Sequence, residues 1–192
     1  PAMNDAGAIA YRQIDALLEN RHGYWLDDGV DARPIAFGGD APSGVPSSNR
    51  LVVLYEPPII NNTGHVAIYA GFDASNADST NNRAVWVHSP AGGHVLAFRT
   101  GQRIEVAPAD VRTIASIARM WRNPSPSAGL PRSMSDDGTI VASIAFTDGS
   151  SAIIAAAPRS FCSADTNGDG HVDFADINEV LGAFNSAVLE PT

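Results

Sequence analysis

Lysine is absent and cysteine occurs once, at Cys162. A lone cysteine closes no internal disulfide and builds no zinc cluster. All 12 basic residues are arginines, none grouped into a patch, against 21 acidic residues, for a net charge of −9. Such a surface suits nucleic acid poorly, because that binding rests on Lys and Arg displacing counterions from phosphates. No stretch approaches 18 uncharged apolar residues, so no helix is expected to span a membrane. The chain opens at Pro1 with neither an initiator methionine nor a signal-peptide core, and reads as a processed chain or a piece of a longer one. What is there suits a globular core. Of 192 residues, 44% are apolar and 17% charged, enough for one domain with at most a small module beside it.

The charge is uneven. No basic residue follows Arg159, yet six acidic ones do: Asp165, Asp169, Asp173, Asp176, Glu179 and Glu190. The tail therefore carries −6, and residues 1–159 carry −3 from 12 basic and 15 acidic side chains. A local excess of this kind stays solvated or meets a cation.

A pattern recurs three times, in Asn4-Asp5-Ala6-Gly7-Ala8-Ile9, Asn61-Asn62-Thr63-Gly64-His65-Val66 and Ser135-Asp136-Asp137-Gly138-Thr139-Ile140. Each reads as a turn closed by glycine and followed by a strand. Asn and Asp side chains bond their own backbone, and glycine takes positive φ without a Cβ clash. Tyr24-Trp25-Leu26 is echoed by Val85-Trp86-Val87 and more weakly by Ile153-Ile154-Ala155. Ile35-Ala36-Phe37 is echoed by Leu96-Ala97-Phe98, with 12 residues from Trp to Phe in both tracts. The unit length varies from 57 to 74 between the glycines, and the segments Asp73–Asn82 and Asn123–Pro131 take up the slack as loops. Leu51–Tyr55 reads as a further strand. Ala6–Arg21 also has helical spacing at Ile9, Ile14 and Leu17/Leu18, which the repeat outweighs except for a short helix around Ile14–Asn20. Pro108–Arg122 fits a helix or a strand equally.

These units resemble the degenerate Asn-x-x-Gly-x-Val-Ala-Phe blades of secreted bacterial proteins. The resemblance implies a mainly β chain of partial β-propeller-like repeats over 1–157, with units near 1–57, 58–130 and 131–157. A β-sandwich is the competing architecture. Propellers close with four to eight blades, so three units belong to a larger ring or an open stack.

The strongest chemical signal lies at the carboxyl end, in Asp165-Thr166-Asn167-Gly168-Asp169-Gly170-His171-Val172-Asp173-Phe174-Ala175-Asp176. Ca²⁺ takes six to eight oxygens, and a 12-residue loop offers them at positions 1, 3, 5, 7, 9 and 12. Here those are the side chains of Asp165, Asn167 and Asp169, the carbonyl of His171, and the side chains of Asp173 and Asp176. Gly170 allows the sharp turn at position 6. Phe174, Ile177, Val180/Leu181 and Phe184 then share one face of a helix. Four carboxylates in 12 residues repel one another without a cation, so calcium is expected to order the segment. The segment resembles a dockerin type I repeat over 162–186, present once where dockerins pair two. That resemblance implies an extracellular calcium module and a protein partner of cohesin type.

Enzyme readings are weaker. Gly64-His65-Val66-Ala67-Ile68-Tyr69 followed by Val87-His88 is similar to NlpC-type cysteine peptidases, but no cysteine precedes Cys162. Cys162 reads as packing against the calcium module or bonding to a cysteine outside this chain. His22, His94 and His171 read as solvated loop residues. Asp27-Asp28 and Asp136-Asp137 read as turn residues rather than a catalytic carboxylate pair. Trp25 and Trp86 are expected between the units, with glycan binding at a rim as the alternative. The expected protein is a secreted, calcium-binding scaffold or attachment protein without catalysis of its own. The alternative is part of a polysaccharide-degrading hydrolase or NlpC-like peptidase whose active site is incomplete here.

Overall fold

The computed structural model describes residues 1–15, 21–41, 44–45, 49–54, 56–73, 80–90, 93–118 and 133–157, all within one unit, Pro1–Pro158. Every regular element among them is a strand. Sheet 1 holds β1 (Ala2–Met3), β2 (Ile9–Asp15), β3 (Arg21–Asp27) and β4 (Ala32–Phe37). Sheet 2 holds β5 (Arg50–Leu54), β6 (Ile59–Ile60), β7 (Val66–Asp73), β8 (Arg83–His88) and β9 (His94–Arg99). Sheet 3 holds β10 (Arg103–Ala107), β11 (Asp110–Ile117), β12 (Ile140–Phe146) and β13 (Ser151–Ala156). All pairings are antiparallel. The chain is therefore mainly β. Ile14 and Asp15, assigned to a short helix from the sequence, end strand β2; residues 16–20 lie outside the described residues. The ambiguous Pro108–Arg122 segment supplies strand β11, because pairing with β10 and β12 satisfies its backbone.

The three turns that open the central strands share one construction. Gly7, Gly64 and Gly138 sit at φ 85°, 85° and 87°. Each amide bonds the carbonyl three residues back, at Asn4, Asn61 and Ser135. In the first two turns the Asn Oδ1 accepts from the amide after the glycine, of Ala8 and His65. In the third, Asp137 Oδ1 takes that bond from Thr139. The repeat then holds through the next hairpin. Ile9 pairs with Asp27, Val66 with His88, and Ile140 with Ala156. Trp25, Trp86 and Ile154 thus occupy one repeat position.

Two cores separate the three sheets. The first joins Ala10, Tyr24, Leu26 and Ala36 of sheet 1 to Leu51, Val66, Ile68, Phe72 and Trp86 of sheet 2. The second joins Ala67, Tyr69, Val85, Val87 and Phe98 of sheet 2 to Ile140, Ala142, Ile144 and Phe146 of sheet 3. Sheet 2 is covered on both faces, and β7 accordingly reads as an unbroken apolar run buried from Val66 to Phe72. In β12 buried and open positions alternate, as expected when one face is covered.

The equal Trp-to-Phe spacing conceals a slip. The β3–β4 connection has four residues, 28–31, and the β8–β9 connection five, 89–93. Phe37 therefore pairs with Gly23, whereas Phe98 pairs with Val85, one repeat position further along. Since successive residues face opposite sides, the two phenylalanines point to opposite faces. Phe98 is buried in the second core, and Phe37 lies edge-on to Trp25 at 5.5 Å. Gly23 is required beneath it, as a Cβ there would lie 2.6 Å from Phe37 Cε1.

Candidate functional site

The turns carry hydrogen bonds from sheet to sheet. Asn4 Nδ2 donates to the Asn61 carbonyl at 3.0 Å, and Asn61 Nδ2 donates to the Ser135 carbonyl at 2.8 Å. Beside them, the Asp5 amide donates to Asn62 Oδ1 and the Asn62 amide to Asp136 Oδ1. The offsets are 57 and 74 residues, those of the sequence repeat. Tyr24 adds a cross-sheet bond, its hydroxyl standing 2.8 Å from the Glu56 carbonyl and 3.0 Å from that of Tyr69. Burial raises the Tyr24 pKa and keeps that proton in place.

His65 belongs to this network. Its Nδ1 is 3.0 Å from Thr63 Oγ1, and the Thr63 hydroxyl also reaches the Asp136 carbonyl in sheet 3. Asp27, Asp28 and Asp137 cap turns, while Asp136 accepts from the Asn62 amide of the neighbouring turn. Asp27 Oδ1 accepts from the Gly29 amide, and Asp28 Oδ1 from the amides of Val30 and Asp31. Those bonds, Asp31 first, hold the Asp28 pKa below its ordinary value. Asp137, bonded by the Ser135 hydroxyl and the Thr139 amide, is lowered likewise. Carboxylates held ionised in this way do not serve as general acids.

Two histidines meet that the sequence kept apart. His88 and His94 are cross-strand partners in β8 and β9, with ring centroids 4.9 Å apart. His94 Nε2 lies 2.9 Å from the Ile35 carbonyl, so that nitrogen carries the proton and Nδ1 is the acceptor of the neutral ring. Burial lowers both pKa values; that of His88 falls to about 4, with His94 and Arg33 adding to the effect. The expectation of solvated loop histidines is corrected here. His22 lies in β3 and His94 in β9, each with a buried Nδ1. The repeat alone does not find this pair, because the second unit's connection is one residue longer than the first's and only the observed hairpin sets residues 88 and 94 opposite each other.

Beside His94 opens a cleft of about 340 Å³ between sheets 1 and 2. Ala36, Ala41, Leu51, Ile68 and Trp86 make it apolar, and Asp40 and His94 bring polar groups. Asp40 Oδ2 accepts from the Phe37 amide at 2.6 Å. A small ligand with one apolar face and a few hydroxyls matches such a lining. The two tryptophans, expected together between units, differ: Trp86 is 1% exposed, while Trp25 is only partly buried.

The residues assigned to calcium, Asp165, Asn167, Asp169, His171, Asp173 and Asp176, lie outside the described residues, as does Cys162. Among the described residues, no group of three or more His, Cys, Asp or Glu side chains is arranged to hold a metal. A family model described as a family of unknown function (DUF7453) matches residues 1–157. No curated protein and no solved structure matches the chain.

Proposed function

Because the chain belongs over residues 1–157 to the DUF7453 family, whose function is unknown, we propose its role from its own chemistry: an extracellular calcium-binding attachment protein. A propeller-like stack of sheets presents the binding surface, and residues 162–186 form a dockerin-like calcium unit. The ligand spacing of Asp165, Asn167, Asp169, Asp173 and Asp176, with Gly170 at the turn, carries the calcium reading. The propeller reading is supported by three sheets joined through one repeated side-chain bond. Aspartate rather than glutamate at position 12 suits weak affinity, which is sufficient outside cells where calcium is millimolar. The calcium unit is the site for a partner of cohesin type. A glycan fits the cleft by Trp86, Asp40 and His94, where hydroxyls meet the polar groups and a ring face meets the apolar lining.

Calorimetry with Ca²⁺ tests this reading. One site per chain with Kd of roughly 0.1–1 mM is expected for the wild type, and no binding for Asp165→Ala. Calcium should also slow proteolysis between residues 162 and 186. No heat and no protection at millimolar calcium would sink the calcium reading.

A further inference from the structure

The repeat assigns each sheet two faces of fixed kind. The leading face of sheet 1 carries Ala10, Tyr24 and Leu26, and it is buried against sheet 2. The leading face of sheet 2 carries Ala67, Tyr69, Val85 and Val87, and it is buried against sheet 3. At the same positions sheet 3 carries Val141, Ser143, Ile153 and Ala155. Val141 and Ile153 are 39% and 77% exposed, and Ser143 and Ala155 are open as well. Trailing faces run the other way. Val66, Ile68 and Trp86 of sheet 2 are buried against sheet 1, and Ile140, Ala142 and Ile144 of sheet 3 against sheet 2. Their equivalents in sheet 1, Ile9, Tyr11 and Trp25, are only partly buried.

The described sheets thus end in two unlike surfaces, an exposed leading face on sheet 3 and a partly buried trailing face on sheet 1. We propose that a second copy of this chain docks head to tail, its Val141/Ile153 face against the Ile9/Tyr11/Trp25 face of the first. The contact continues the interface already made twice inside each copy. A head-to-tail contact closes a ring when its rotation divides the circle. Two copies of the three described sheets make six, within the four to eight that propellers use, so a pair related by a two-fold axis is a closed form available to the described sheets. The ring size rests on the propeller reading above; the face-to-face contact does not, and neither depends on calcium.

One detail makes the junction weaker than the internal contacts. Asn4 and Asn61 each donate Nδ2 to the carbonyl of the next turn, but Ser135 has no amide. Its hydroxyl is bonded within its own turn, to Asp137 and the Thr139 carbonyl. The ring therefore lacks one rung at each junction and opens there on dilution.

The test is the mass of the full chain by light scattering across a concentration series, with and without calcium. The expected result is a dimer of the 20.1 kDa chain that dissociates at low concentration. Trp25→Asp and Ile153→Asp should each be monomeric while keeping the β circular-dichroism spectrum of the wild type. Mixed together they should pair again, because one copy keeps the leading face and the other the trailing face. A monomer up to roughly 1 mM, or a dimer that neither substitution alters, overturns the proposal. A dimer dissolved by both substitutions with no pairing at all on mixing also overturns it, since the mixture of a head-to-tail pair keeps one of its two junctions intact, whereas a contact joining both residues in one patch keeps none. Open-ended chains of copies would overturn the closed pair and the propeller reading while leaving the face assignment standing.

Discussion

Gly7 has open space where a Cβ would sit and a φ of 85°, so its replacement tests backbone strain and nothing else. Gly7→Ala should lower stability by about 1 kcal/mol, read as a shift of the urea midpoint without a change of slope. The histidines test burial. The His88 pKa is depressed from 6.5 to about 4, so the unfolded chain takes up a proton between those values that the folded chain refuses. Stability should therefore fall as pH drops from 6.5 towards 4, by about 1–2 kcal/mol after allowance for partial solvent access. His88→Gln should flatten that slope in urea titrations at several pH values. Asp28 and Asp137, with lowered pKa values, lose their contribution only below 3.8, which keeps the two windows apart. Single residues of the turns were legible in the sequence because an Asn-x-x-Gly turn is made by bonds within five residues. The pairing of His88 with His94 was not, because it depends on the length of a hairpin connection and on burial by other strands.

Asn61 is fully buried and works in two directions, accepting from the His65 amide within its turn and donating to Ser135 in the next sheet. Asn61→Ala leaves the partly buried His65 amide without its acceptor and the Ser135 carbonyl with only its Gly138 bond, and should cost about 1–2 kcal/mol in chemical denaturation. Asn61→Asp keeps the turn acceptor but sets a buried carboxylate against the Ser135 carbonyl, so it should cost at least as much as Asn61→Ala at neutral pH. Among the elements, strands followed from β-branched and aromatic runs between Gly, Pro and Asn turns, and of the expected strand Leu51–Tyr55 residues 51–54 lie in β5, while Tyr55 lies outside the described residues. Spacing misled where a one-residue difference in connection length put Phe37 and Phe98 on opposite faces. Local periodicity also suggested a helix at Ile14 and allowed one at Pro108–Arg122, where pairing with neighbouring strands decided the matter.

For the whole molecule, the repeat makes one position comparable in different surroundings. Trp86→Ala removes a ring packed into the first core and should cost about 3–5 kcal/mol. Trp25→Ala, at the same repeat position but only partly buried, should cost about 1–2 kcal/mol in solutions dilute enough to keep copies apart. Near-equal costs would mean that the two faces are equally covered. The sequence alone determined where the repeated turns lie, many of the strands between them, and that three units share one plan, since each depends on contacts between near neighbours along the chain. The 12-residue span from Asp165 to Asp176 is likewise a local pattern, and the proposal of calcium binding rests on it. Only the tertiary structure decided which of the two tryptophans is buried, that β7 is covered on both faces, and that the described sheets end in two unlike surfaces, one exposed and one partly buried. Those depend on which sheet lies next to which, and that is settled by packing between residues 57 to 74 positions apart.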